Sequence, residues 1–111
     1  MSTEPFKPPS QRVGELNKNV ADLFQALREA TLTSGPLDRS TCEMIVVAGF
    51  AALNCETSFK THSRRLVKMN VPKATLQHAV LATLGATTVI YQVANALEWI
   101  DDVYNEGAVA A

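Results

Sequence analysis

The sequence predicts an all-α bundle of about five helices. Three observations carry this. Apolar residues recur at spacings of three, four and seven through most of the chain. Outside one short β-branched run, nothing shows the alternation a half-buried strand requires. Short breaks separate the periodic segments, at Ser34-Gly35-Pro36, Asn54, Asn70-Val71-Pro72 and Gly85.

In chain order, Pro5, Pro8 and Pro9 predict an extended arm over 1–10. From Gln11 the pattern turns helical, with Val13, Leu16, Val20, Leu23, Phe24 and Leu27 on one face and Glu15, Lys18, Asp22 and Arg28 opposite. Gly35 and Pro36 end that helix. Asp38 is placed to cap a second helix by accepting a backbone N–H. This helix carries the run from Met44 to Leu53, apolar on every side, which predicts burial all round. Ile45, Val46 and Val47 would also suit a strand, but the length of the run favours helix.

A third helix is predicted from about Cys55–Thr57 to Met69, stopped because Pro72 disfavours helical backbone at Val71. A fourth runs from Lys73 to about Leu84, with Leu76, Ala79, Val80 and Leu84 inward. Gly85 marks a junction. A fifth runs from Ala86 to about Tyr104, burying Val89, Ile90, Val93, Leu97, Ile100 and Tyr104. A length of 111 residues predicts one domain, here 11–106, followed by a tail over 107–111.

Composition narrows the partners. A formal charge of -1 gives no general attraction to nucleic acid or anionic lipid. The apolar stretches are too short to span a bilayer, so no membrane partner is expected. The N-terminus lacks the apolar core of a secretory signal, which predicts a cytoplasmic protein. An apolar fraction of 47% is that of a globular protein, but a mean hydropathy of +0.03 is high for a short monomer and predicts a homo-oligomer. Two cysteines, Cys42 and Cys55, are too few for a disulfide framework and are expected to stay reduced.

The chemistry concentrates between Glu43 and His62. Cys55, Ser58 and His62 stand at i, i+3 and i+7, on one face of the third helix. At the start of a helix, free N–H groups and the dipole favour a thiolate, the nucleophilic form of cysteine. Ser58 is placed to donate a hydrogen bond to it, and His62 to exchange its proton. The plain readings stand beside this one. A free cysteine is often a small core residue, His62 can be a hydrogen-bonded core histidine, and Glu43 a first-turn acid favoured by the dipole. Cys42, with no nearby imidazole, reads as packing. One Cys, one His and one Glu without a second closely spaced ligand do not make a zinc motif, and no metal or cofactor is expected.

Arg64, Arg65 and Lys68 form a basic patch that reads as a solvated face or a docking point for an anionic substrate. His78 has no ligand spacing around it. Trp99 and Tyr104 can wall a pocket or simply pack, and Phe50 and Phe59 flank the thiol in sequence.

Leu37-Asp38-Arg39 opening a helix, Glu43 followed after eleven residues by Cys55, the Cys-x-x-Ser-x-x-x-His pattern from Cys55 to His62, and Arg64-Arg65-Leu66 before a helical hairpin together resemble one family. From Leu37 to Asp101 the sequence is similar to the carboxymuconolactone decarboxylase-like family, which includes the alkyl hydroperoxidase D (AhpD-like) proteins. The resemblance implies an AhpD-like all-α bundle assembled as a trimer or hexamer. It implies Glu43 as the acid, Cys55 as the first cysteine and His62 as the relay histidine, with Glu43 brought near His62 by the fold. The family motif carries a second cysteine where this chain has Ser58. A hydroxyl cannot form a disulfide, so the intramolecular dithiol cycle is closed to this chain. Cys42 is a poor substitute: thirteen residues of helix to Cys55 are about 20 Å, beyond disulfide reach.

Three functions are consistent with these residues. The first is a thiol-dependent antioxidant oxidoreductase, in which Cys55 reduces a small peroxide, an external thiol restores it, and His62 and Glu43 manage protons. The second is a lyase of the decarboxylase type acting on a small carboxylated lactone, with Glu43 and His62 as acid and base and Arg64 and Arg65 on the carboxylate. The third is a non-catalytic oligomer that keeps the fold.

Overall fold

The computed structural model describes residues 8–110, with side chains through 106. Among these residues there are six helices and no strand. The chain divides into two compact units, 1–36 and 37–111. The arm expected over 1–10 falls mostly outside the described residues, as do the side chains of the expected tail.

The first unit holds α1 (Pro9–Leu16) and α2 (Lys18–Thr33), which pack on each other. The sequence predicts one helix here, and Asn17 divides it. Asn17 adopts an extended backbone, and its N–H closes α1 on the Val13 carbonyl at 2.8 Å. Its side chain accepts the Val20 N–H at 3.1 Å and so starts α2. The short polar side chain thus offers the backbone a competing hydrogen bond in the middle of a periodic stretch. The predicted face is therefore split between two helices, and Val13, Leu16, Val20, Leu23, Phe24 and Leu27 are all exposed. Leu32 is the buried residue of α2.

The second unit is built from α3 (Arg39–Ala52), α4 (Glu56–Lys68), α5 (Lys73–Leu81) and α6 (Ile90–Ala110). Asp38 caps α3 as predicted, accepting the Thr41 N–H at 2.8 Å. Hydrogen bonds from Thr41, and then from Ser40, hold its carboxyl below the usual aspartate range. The core joins Val47 and Ala51 of α3, Phe59 and Leu66 of α4, Leu76 and Val80 of α5, and Val93, Ala96 and Ile100 of α6. The α3 run is buried on one face only. Glu43, Val47 and Ala51 face inward, whereas Ile45 and Gly49 are exposed, so the expectation of burial all round does not hold within one chain. Four helices of this length enclose a single core and leave the outer face of α3 uncovered.

Two corners of the same kind position α4. After α3, Asn54 takes the left-handed conformation at φ 54°, and the N–H groups of Asn54 and Cys55 return to Ala51 and Phe50. After α4, Asn70 does the same at φ 62°, with Asn70 and Val71 returning to Val67 and Leu66. Asparagine tolerates this region better than other residues with a Cβ. Pro72 then keeps the chain out of the helix until α5.

The junction between α5 and α6 is longer than predicted. Helix α5 stops at Leu81, and Leu84 is exposed. The Thr83 hydroxyl donates to the Val80 carbonyl at 2.7 Å and lies 2.8 Å from the Thr88 hydroxyl, and Gly85 sits at φ 83°. These contacts hold a compact turn where the apolar pattern suggests continuous helix. Helix α6 consequently starts at Ile90, leaving Val89 and Ile90 exposed, while Val93 and Ile100 are buried and Leu97 and Tyr104 partly so.

Gln92 joins the ends of two helices. Its side-chain oxygen accepts the Val89 N–H at 2.9 Å, and its amide nitrogen donates to the Ala52 carbonyl at 3.0 Å. Nearby, Asn95 donates to the Asn54 side chain at 3.2 Å. Along the other end of the unit, Lys60 pairs with Asp102, Arg64 with Glu106 and Lys73 with Asp101, all onto α6. Tyr104 donates its hydroxyl to the Val71 carbonyl at 2.7 Å, and burial pushes its phenol above the usual range. No helix among the described residues is long and apolar enough to cross a membrane.

Candidate active site

The centre of the site is a contact between two helices. Glu43, in the second turn of α3, is 1% exposed and faces α4. Its Oε1 meets Nδ1 of His62, in the second turn of α4. A carboxylate so thoroughly removed from water needs such partners, because burial without them is costly. The ring of Phe50, two turns after Glu43 on α3, stacks on His62 at 5.2 Å between centroids. Carboxylate and aromatic ring, both from α3, thus grip the imidazole by one nitrogen and one face. Nε2 has no hydrogen-bond partner among the described residues.

Arg65 completes the cluster. Its Nη1 lies 3.4 Å from His62 Nδ1 and 3.9 Å from Glu43 Oε1, while the side chain remains half exposed. Three groups with acid–base or charge function thus converge at the crossing of α3 and α4. Arg64, one residue earlier, makes its contacts with Glu106 of α6, through Nε at 3.0 and 3.1 Å and Nη2 at 3.0 Å. Consecutive residues on a helix point about 100° apart, so the two arginines have separate partners.

Cys55 is exposed and stands at the N-cap of α4. Its N–H closes the α3 corner on Phe50, and its carbonyl accepts the Phe59 N–H at 3.0 Å. No side chain caps the first turn of α4, and the thiol has no hydrogen-bond partner among the described residues. Ser58 is partly buried in that first turn, one turn before His62, and its hydroxyl likewise lacks a described partner. Phe59 points into the core, with its ring edge-on to Trp99 at 5.3 Å.

Cys42 is half-buried, its thiol 3.9 Å from the Leu37 carbonyl. His78 is exposed on α5. Among the described residues no group of three or more His, Cys, Asp or Glu side chains is arranged to hold a metal ion.

Two features were not assigned from the sequence. Phe50 packs on the histidine, and Arg65 sits against Glu43. The signal for Arg65 was present in its position three residues after His62, on the same helical face. The signal for Phe50 was its place seven residues after Glu43 on α3, which sets both on one side of that helix.

No curated protein and no solved structure matches the chain. Residues 18–102 match the family model described as Carboxymuconolactone decarboxylase family. This span runs from the start of α2 well into α6 and contains Glu43, Cys55, Ser58, His62 and Arg65. The all-helical architecture agrees with an AhpD-like bundle. With a match over most of its length, the chain belongs to the carboxymuconolactone decarboxylase family.

Proposed function

We propose that the chain is a thiol-dependent peroxide-reducing enzyme with Cys55 as its redox residue. The observation that carries this reading is the contact of the buried Glu43 carboxylate, from α3, with His62 on the helix that Cys55 begins. The Cys55 thiolate attacks one oxygen of a hydroperoxide. The S–O bond forms, the O–O bond breaks, and the departing alkoxide takes a proton from His62. Cys55 is left as a sulfenic acid. With Ser58 in place of a second cysteine, an external thiol attacks that sulfur and releases water. A further thiol then frees Cys55 and leaves the external pair oxidised. Glu43 orients the imidazole through Nδ1 and balances its charge when protonated.

The exposed position of Cys55 suits both steps, since peroxide and reductant must each reach the sulfur. Cys55→Ala is expected to remove peroxide consumption when dithiothreitol is the reductant. Turnover at the wild-type rate would reject the reading.

One observation favours the lyase as the alternative. Arg65 is half exposed beside the acid–base pair, where it can meet a substrate carboxylate without involving Cys55. In that case loss of a carboxylated lactone survives Cys55→Ala and not His62→Ala.

The same reading has the chain self-associate. Ile45 is 58% exposed and Leu53 71% exposed, on and just after the helix that carries Glu43. Light scattering should report a multiple of the 12.0 kDa chain mass; a monomer at assay concentration would remove this part.

A further inference from the structure

We propose that Ser58 is a second nucleophile of this site, giving the chain an acyl-transfer activity toward carboxylic esters with good leaving groups. The proposal shares the Glu43–His62 pair with the peroxide reading and does not depend on Cys55.

Four observations converge on the Ser58 hydroxyl. It is partly buried and has no hydrogen-bond partner among the described residues. His62 follows four residues later on α4, on the same face, and helical side chains lean toward the N-terminus, which brings the imidazole toward Ser58. Glu43 holds Nδ1, so the nitrogen left to accept a proton is Nε2, and the Phe50 ring packs against the imidazole. Finally, the N–H groups of the first turn of α4 lack a side-chain cap, and that of Ser58 is among them. A hydroxyl nucleophile, a base oriented by a buried carboxylate and backbone donors beside the nucleophile are the parts that acyl transfer requires.

The reaction balances with water as the second reactant. Ser58 Oγ attacks the ester carbonyl carbon while its proton passes to His62 Nε2. Negative charge gathers on the carbonyl oxygen, facing the N–H groups of the helix start. The intermediate collapses, the C–O bond to the leaving group breaks, and His62 returns the proton to the departing oxygen. Ser58 is then an ester. Water, deprotonated by His62, attacks the acyl carbon, and the carboxylic acid leaves as Ser58 recovers its proton. Glu43 is a positioning residue in this sequence, acting through the imidazole.

The test uses the full-length protein with p-nitrophenyl acetate, followed by proteolysis and mass spectrometry of the 55–58 peptide. An acetyl group on Ser58 is expected in the wild type and in Cys55→Ala. In His62→Ala the labelling rate should fall by about 10²-fold or more. A wild-type protein acetylated on Cys55 alone, or on neither residue, overturns the proposal without recourse to any variant. Equal Ser58 labelling in folded His62→Ala also overturns it, because the hydroxyl would then react unaided. The two readings fail separately: Cys55→Ala reports on peroxide consumption, and wild-type Ser58 labelling reports on acyl transfer.

Discussion

His62→Ala is expected to slow peroxide consumption by about 10²–10⁴-fold, the contribution of a positioned acid–base group. The imidazole is held at one nitrogen by the Glu43 carboxylate and on one face by the Phe50 ring. Alanine removes the imidazole that the proposed mechanism uses to protonate the leaving alkoxide. His78, the other histidine of the chain, is exposed on α5. Glu43→Gln should lie between wild type and His62→Ala, since an amide can still orient the ring but no longer balances an imidazolium. The measurement is initial rate at fixed dithiothreitol, with far-ultraviolet circular dichroism to show that the helices persist. A folded His62→Ala protein that turns over within about twofold of wild type would remove His62 from the mechanism.

Phe59→Ala is expected to lower the unfolding free energy by about 3–5 kcal/mol. Its side chain is fully buried, packs in the cluster shared by α3, α4, α5 and α6, and meets Trp99 edge-on. Alanine loses the buried ring and leaves a cavity that four mutually packed helices cannot readily close. A domain of this size has about 5–15 kcal/mol in total, so the loss approaches the stability of the unit. The chain has a single tryptophan, Trp99, so its fluorescence reports on the environment of this ring. Urea unfolding followed by that signal should show a lower midpoint at similar slope. A midpoint unchanged from wild type would mean that Phe59 is not a keystone of the core.

The two substitutions probe adjoining faces of one helix. Phe59, Ser63 and Leu66 turn α4 toward the core, while Ser58, His62 and Arg65 lie on the face of the candidate site. The segregation follows from helical periodicity, and it explains why the shared face of the candidate residues was legible beforehand. Cys55, Ser58 and His62 are related by spacing along a single helix, so their common face needed no knowledge of the rest of the fold. The stops at Asn54 and Asn70 were equally local, because the left-handed backbone they adopt is set by neighbouring residues.

The departures arose where a polar side chain competed with an apolar pattern. Asn17 divided the first predicted helix by bonding to Val20, and the hydroxyls of Thr83 and Thr88 shortened the fourth and delayed the fifth. Apolar spacing records which residues favour burial together, and it carries no information about a backbone hydrogen bond offered by one side chain.

The sequence by itself determined the helical class, the order of the helices and the line of candidate residues along α4, because each depends on interactions within a few residues. Only the tertiary structure decided that Glu43 meets His62, that Arg65 joins them and that Arg64 turns to Glu106. Glu43 and His62 lie nineteen residues apart on different helices. Their meeting depends on the angle at which α3 and α4 cross, set by the Asn54 corner, the Gln92 tie and the shared core, none of which is visible as a spacing along the chain.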